Sequence, residues 1–179
     1  DIRLQPPPSS ITLAIDRTLE GYYRGMSDTN NATKASTLER CKNEIIRLHV
    51  FFEEWFTGKI SNTDDELERG FSRFMHANFH FINPGGATDS LSSLMEKLRH
   101  AHGAYSSTKF IIEIKNVECL FVGSEDDNYL VKYEEWQTFG DDDSNVTARV
   151  STVLFQADGE EQLKWVNVHE TWLPDLGPK

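Results

Sequence analysis

The sequence has only two cysteines, Cys41 and Cys119, which lie far apart along its 179 residues. The disulfide frameworks of small secreted domains need more cysteines than this. One alternative is a disulfide between the two, but we expect two buried free thiols in a reducing compartment. The cysteine content therefore favours a cytoplasmic location.

Basic residues are also scarce, because 18 Lys and Arg stand against 29 Asp and Glu and give a net charge of −11. Such a surface repels phosphate groups, which argues against non-specific binding to nucleic acids or anionic membranes. No apolar run approaches the length of a membrane span. We therefore expect neither a nucleic acid nor a membrane as a partner.

Motifs for cofactors and metals are missing as well. There is no glycine-rich loop for phosphates and no nucleophile elbow. Two histidine pairs lack a third ligand at a spacing that suits zinc: His76 with His80, and His100 with His102. The acidic runs at 125–127 and 141–143 lack the ligand period and the glycine of a calcium loop. No cofactor and no metal are expected.

What the sequence does contain is material for one core, since 38% of residues are hydrophobic and eleven Phe and four Trp are present. Residues 1–36 combine a Pro-rich lead, a polar linker and an amphipathic helix with Ile11, Ile15 and Leu19 on one face. Residues 37–173 form the main domain, and residues 174–179 form a tail.

Three helices are predicted in the main domain. The first begins at Thr37 and ends near Phe56, the second begins at Asn62 or Thr63, and the third covers 90–103. A short strand, Phe79–Ile82, precedes the third helix and stops at the turn signal Asn-Pro-Gly-Gly at 83–86.

The pattern then changes to period two and predicts four strands joined by hairpins. They cover Lys109–Val122, Tyr129–Phe139, Thr147–Gln156 and Leu163–Leu173, with a bulge near Asn116 in the first. Helices followed by an antiparallel meander predict an α+β domain with helices on one side of a curved sheet.

This order, together with two motifs, resembles the nuclear transport factor two-like superfamily. Residues 78–86, NFHFINPGG, are similar to the strand and turn that close one wall of its cone. Residues 165–173, WVNVHETWL, are similar to its last strand. The resemblance covers about 37–173 and is strongest to SnoaL-like and uncharacterised stand-alone members, with the association domain of calcium/calmodulin-dependent kinase as a more distant relative. It implies a cone of three helices on a curved, mostly antiparallel sheet, with an extra N-terminal helix.

The superfamily hosts many functions, so residues must be compared one by one. Where ketosteroid isomerase has a catalytic Asp and an oxyanion-stabilising Tyr, this chain matches Asn83 and Phe51. The resemblance thus implies that both isomerase roles are vacant. Where the kinase association domain has pocket arginines, the chain matches Glu134, Thr152 and Trp172, which implies no anion site.

The same alignment places four residues inside the cone: Glu134, Trp136, Glu170 and Trp172. His80 and Asn83, at the end of the short strand, are further candidates. The opposite sheet face would carry eight residues: Tyr133, Glu135, Gln137, Arg149, Ser151, Trp165, Asn167 and His169. A one-residue error in register would exchange the two sets. Trp165 and Trp172, seven residues apart, are expected on opposite faces.

Two carboxylates among indole rings favour a small neutral or cationic ligand. The equally weighted alternative is that these residues face water at the rim. A homodimer through the outer sheet face is expected, because the helices cover only one face. The function that follows is a small-molecule-binding cone. The alternatives are a cyclase, dehydratase or isomerase with an atypical acid/base, or an oligomerisation or adaptor module of a longer protein.

Overall fold

A computed structural model describes residues 35–123, 127–140, 145–159 and 162–178. Two compact units divide the chain, Asp1–Ser36 and Thr37–Lys179, and nearly all described residues belong to the second. The predicted helix with Ile11 and Ile15 lies outside the described residues.

The described residues contain three α-helices that begin close to the predicted positions, although the second ends at Gly70, earlier than predicted. Helix α1 covers 35–56, α2 covers Asp64–Gly70, and α3 covers Leu91–Ala101. A short 3-10 helix, Ser72–Phe74, follows α2. Thr63 and Ser90 cap α2 and α3 by accepting backbone N–H groups, each at 3.3 Å. The polar residues before each apolar stripe therefore set where these helices begin.

Six strands form one sheet. They are β1 (Met75–Ile82), β2 (Thr88–Ser90), β3 (Phe110–Val122), β4 (Asn128–Phe139), β5 (Asn145–Asp158) and β6 (Gln162–Trp172). Their order across the sheet is β2-β1-β6-β5-β4-β3, with β1 parallel to β6 and all other pairs antiparallel. The meander is as predicted, and the three-residue β2 is an addition to the prediction.

Among the described residues, register shifts interrupt three strand pairs: β1–β6, β3–β4 and β5–β6. In β3 the pairing with β4 shifts between Lys115 and Glu118, and Asn116 has a φ of 52°, so the predicted bulge is present. In the β5–β6 pair, Leu154 pairs with Asn167 and Phe155 pairs with Trp165. One extra residue in β6 therefore reverses the alternation of side chains between Trp165 and the residues after it.

The core lies between the helices and the sheet face that they cover, here called the inner face. Fully buried members come from both layers: Trp55, Phe71, Tyr133, Phe155 and Trp165. Trp55 Nε1 donates to the carbonyl of Leu98 at 2.8 Å, which ties α1 to α3. Trp165 Nε1 donates to Glu44 Oε1 at 2.7 Å, which ties the sheet to α1. These bonds satisfy both indole N–H groups inside an otherwise apolar core.

Cys41 and Cys119 are buried and form no disulfide with each other. Burial, followed by the neighbouring Cys119, raises the pKa of the Cys41 thiol to about 12. A thiol of such a high pKa stays protonated near neutral pH and packs as a small apolar group. Within the described residues, no helix combines the length and the apolar character needed to cross a membrane.

Candidate functional site: a cone-shaped cavity with a buried charged end

The helices and the inner face form a partly open cavity of about 210 Å³. Its walls are mainly apolar and aromatic, with contributions from α1, β1, α3 and β3, among them Phe52, Phe56, Phe79, Leu94 and Ile112. Six polar residues cluster on one part of the lining: His49, Tyr133, Glu135, Gln137, Arg149 and Glu170. Cavities with apolar walls and a few convergent polar groups are the usual form of small-molecule sites.

Strand alternation places the polar groups together. Tyr133, Glu135 and Gln137 occupy every second position of β4, and therefore share its inner face. Glu135 pairs directly with Arg149 of β5, and Arg149 pairs with Trp172 of β6. Side chains of directly paired residues lie on the same face of a sheet, so the register brings the carboxylate and the guanidinium together.

Glu135 and Arg149 form a two-point ion pair. Arg149 Nη2 donates to Oε1 at 2.5 Å, and its Nε donates to Oε2 at 3.1 Å. Burial alone would raise the pKa of Glu135, but Arg149 and then His49 outweigh it and hold that pKa well below its usual range. Burial likewise opposes the charge of Arg149, and Glu135 and Glu170 raise the pKa of Arg149. Both groups therefore stay charged inside the protein.

His49 connects this pair to α1. Its Nδ1 lies 2.7 Å from the carbonyl oxygen of Ile45, and its Nε2 lies 3.1 Å from Glu135 Oε2. Both neighbours are hydrogen-bond acceptors, so the arrangement suits a ring with N–H groups on both nitrogens. The ring also makes an edge contact with Tyr133 at 5.4 Å between centroids.

Glu170 is a further titratable group of the cluster, and its carboxyl oxygens have the fewest hydrogen bonds. It is 5% exposed, and its Oε1 accepts only a long hydrogen bond of 3.5 Å from Ser151. Its Oε2 has no hydrogen-bond partner. Burial is the largest influence on this carboxyl; although Arg149 opposes it, burial and then Glu135 raise the pKa to about 7. A carboxyl that exchanges its proton near neutral pH thus borders the cavity.

Two of the predicted cone residues lie on the other face of the sheet. Glu134 and Trp136 are on the outer face, where Trp136 Nε1 donates to Glu134 Oε2 at 3.0 Å. Hydrogen bonds from Asn116 and then Trp136 lower the pKa of Glu134. The prediction chose the wrong inward face for both β4 and β5, so Tyr133, Glu135 and Arg149, expected outside, line the cavity instead.

The remaining predicted site residues lie in different parts of the structure. Glu170 lines the cavity as predicted, whereas Trp172 lies beside Arg149, with its ring 5.8 Å from the guanidinium, and is not among the cavity-lining residues. His80 is exposed at the strand surface, between the buried Phe79 and the half-buried Phe81. Asn83 accepts the backbone N–H groups of Gly85 and Ala87 within the turn, at 2.9 and 3.1 Å. His80 and Asn83 are thus placed outside the cavity.

The bulge in β6 also corrects the prediction for the two tryptophans. Trp165 lies on the inner face, and Trp172 shares that face because it pairs with the inward-facing Arg149. Without the extra residue the seven-residue separation would place them on opposite faces.

The sequence prediction gave no site role to His49, Glu135 or Arg149. A signal for the β4 face existed in the strand itself: Tyr129, Val131 and Tyr133 alternate with Leu130, Lys132 and Glu134. The first set is the more apolar and is the buried one. No comparable signal marks His49, which occupies one position of a long amphipathic helix.

The fold and the cavity define the class of protein. Helices on one face of a six-stranded, mostly antiparallel curved sheet are the nuclear transport factor two-like cone, as the sequence predicted. A nuclear transport factor two-like protein of unknown function from Pseudomonas aeruginosa has the same fold, with a TM-score of 0.64 and 26% identity. The match covers 75% of this chain and 98% of that one.

Within this class, the chain belongs to the sucrose-6-phosphate phosphohydrolase C-terminal family, whose model matches residues 41–174. It is 31% identical to sucrose-phosphatase 1 of Nicotiana tabacum over 136 residues, covering 73% of this chain and 30% of that protein. It is 28% identical to sucrose-phosphatase 2 of the same plant over 175 residues, covering 89% of this chain and 40% of that protein. The chain therefore spans 30% to 40% of the length of these relatives.

The raised pKa of Glu170 predicts how stability depends on pH. Between its ordinary value of 4.5 and about 7, the folded protein holds a proton that the unfolded chain releases. This contribution to stability is complete below pH 4.5 and is lost as pH rises through 7. Replacing Glu170 by Gln removes this contribution. Between pH 4.5 and 8, the free energy of unfolding of the wild type should therefore fall by on the order of 3 kcal/mol relative to that of Glu170→Gln.

Urea unfolding of both proteins at several pH values measures this difference, with Glu134→Gln on the outer face as the matched control. Parallel stability profiles for wild type and Glu170→Gln would show that Glu170 titrates as an ordinary carboxyl.

Proposed function

We propose that this chain is a small-molecule-binding cone domain, the C-terminal part of a protein related to sucrose-phosphatases. The observation that carries the proposal is the cavity with aromatic walls and one buried charged end. An apolar ligand body gains from transfer out of water into such walls, and the polar end orients it.

The cavity chemistry favours a neutral ligand, or secondarily a cationic one, over a phosphate ester. Arg149 is the one arginine among the described residues that line the cavity, and Glu135 occupies its Nε and Nη2 donors. Glu170 adds a second carboxyl beside it. A phosphate group entering here would approach the Glu135 and Glu170 carboxyl groups, and this like-charge contact in a buried site opposes its binding. We therefore assign phosphate hydrolysis to the part of the relatives that this chain does not match.

Blocking the cavity tests ligand binding. Ile112 of β3 lines the cavity, and the neighbouring Ile111 is 36% exposed on the outer face. Ile112→Trp fills the mouth with an indole and should abolish binding of a small aromatic probe such as 1-phenylethanol. Ile111→Trp, the same change one residue away, should leave binding unchanged. Chemical-shift titration by NMR measures both.

Equal loss of binding in the two variants would assign the probe to the surface rather than the cavity. If the wild type binds neither neutral nor cationic aromatic probes in the cavity, the proposal is wrong.

A second candidate is acid/base catalysis in the same cavity. The observation that favours it is the Glu170 carboxyl, with a pKa raised to about 7 by burial and then by Glu135, at the edge of the cavity. Groups of this kind transfer protons efficiently near neutral pH. Catalysis predicts that a bound compound is converted and that Glu170→Gln stops conversion while binding remains. Mass spectrometry after long incubation detects any conversion. If the compound is unchanged, the catalytic candidate is rejected and only the binding function remains.

We also propose a homodimer through the outer face of β3 to β6. This face carries both apolar and polar side chains, with Trp136, Val150 and Leu154 half-buried and Ile111 exposed. Mixed apolar and polar composition with a central aromatic residue is typical of subunit interfaces.

A charge at the centre of this face tests the dimer. Trp136→Glu should convert a dimer into a monomer, because a buried, unpaired carboxylate opposes association. Ile46→Glu on α1, where Ile46 is 39% exposed, is the matched control and should remain dimeric. Light scattering at tens of micromolar protein gives the mass. A monomeric wild type at that concentration contradicts the proposal.

A further inference from the structure

Glu170 Oε2 is a buried carboxylate oxygen with no donor. The side chain of Glu170 is 6% exposed, and its other oxygen has only the 3.5 Å contact with Ser151. Leaving a buried acceptor without a hydrogen bond is costly, and native proteins rarely do so without a reason. Glu170 is also one of the residues that line the cavity, so its carboxyl group lies at the cavity wall.

Arg149 does not satisfy this oxygen, although its Nε lies 3.2 Å away. The Nε atom carries a single hydrogen, and that hydrogen is donated to Glu135 Oε2 at 3.1 Å. Arg149 therefore attracts Glu170 electrostatically without giving it a hydrogen bond. Because Arg149 donates its Nε hydrogen to Glu135, Glu170 Oε2 receives no hydrogen bond from it.

We propose that Glu170 Oε2 is the anchor of the ligand and accepts a hydrogen bond from the hydroxyl group of a neutral, mainly aromatic compound in the cone. This inference rests on the binding function proposed above. Phe79 and Val168 belong to the apolar wall and suit an aromatic body. A hydroxyl supplies the missing donor without adding charge next to Arg149, and a donor-free compound leaves the oxygen unsatisfied.

The proposal makes binding depend on pH, because a carboxylate accepts the hydroxyl proton better than a carboxylic acid does. Four titratable or charged groups face Glu170: His49 from α1, Tyr133 and Glu135 from β4, and Arg149 from β5. Burial and then Glu135 raise the Glu170 pKa to about 7, so both forms are populated near neutral pH. The ligand selects the ionised form, and its affinity should rise with pH.

Two probes of the same skeleton test the anchor on the full chain. 1-Phenylethanol carries a hydroxyl, whereas acetophenone has the same shape and only accepts hydrogen bonds. Between pH 5.5 and 8.5, wild-type affinity for 1-phenylethanol should increase about tenfold. Affinity for acetophenone should stay flat or fall over the same range. Calorimetric or NMR titration measures both.

Two variants assign the effect. Glu170→Gln should lose the pH dependence for 1-phenylethanol and bind it about tenfold more weakly at pH 8.5, because a neutral amide replaces a charged acceptor. Glu134→Gln, the same change on the outer face of the sheet, should behave as wild type. Thermal unfolding confirms that both variants are folded.

A pH dependence that persists in Glu170→Gln would assign the titration to another group of the cluster, such as the His49 imidazole, and overturn the anchor. Equal pH profiles for the two probes would do the same. If Ile112→Trp blocks binding but Glu170→Gln leaves it intact, the anchor is overturned while the binding function stands. If neither probe binds the wild type, both proposals fall.

Discussion

The buried ion pair between Glu135 and Arg149 is the interaction on which the candidate site depends. It joins β4 to β5 from within, and His49 extends it to α1 through the contact with Glu135. Removal of one partner from such a pair leaves an uncompensated buried charge and typically costs about 3 to 5 kcal/mol. The pair thus fixes the position of the helix over the sheet as well as the polarity of the cavity.

The same pair determines which group is available to a ligand. Arg149 uses its Nε and Nη2 hydrogens on Glu135, so it contributes charge but no Nε donor to Glu170. Glu170 is left with a raised pKa and an open oxygen. One satisfied carboxylate and one unsatisfied carboxyl therefore lie side by side, and the difference arises from hydrogen-bond geometry rather than from residue type.

The helices and the meander could be predicted because their signals are local. Caps such as Thr63 and Ser90 and the change to period two depend only on neighbouring residues. The inner face of β4 could not be fixed as securely, because a shift of one residue exchanges Glu134 with Glu135. In β6 the extra residue after Trp165 reverses the sheet face on which the following side chains lie, and no glycine or proline marks its position. The contact of His49 with Glu135 joins residues 86 positions apart, and no local pattern reports it.

The names of the relatives refer to a sugar phosphate, and the chemistry of this cavity differs from what such a molecule needs. A phosphate dianion requires unoccupied donors, and a sugar requires many hydrogen bonds around its ring. The described lining offers aromatic walls and one cluster in which Arg149 is already paired. Glu135 occupies two of the five N–H donors of Arg149, and an anion that approached the others would lie beside the Glu135 and Glu170 carboxyl groups. The ion pair that organises the cone is therefore also the feature that selects against a phosphorylated ligand.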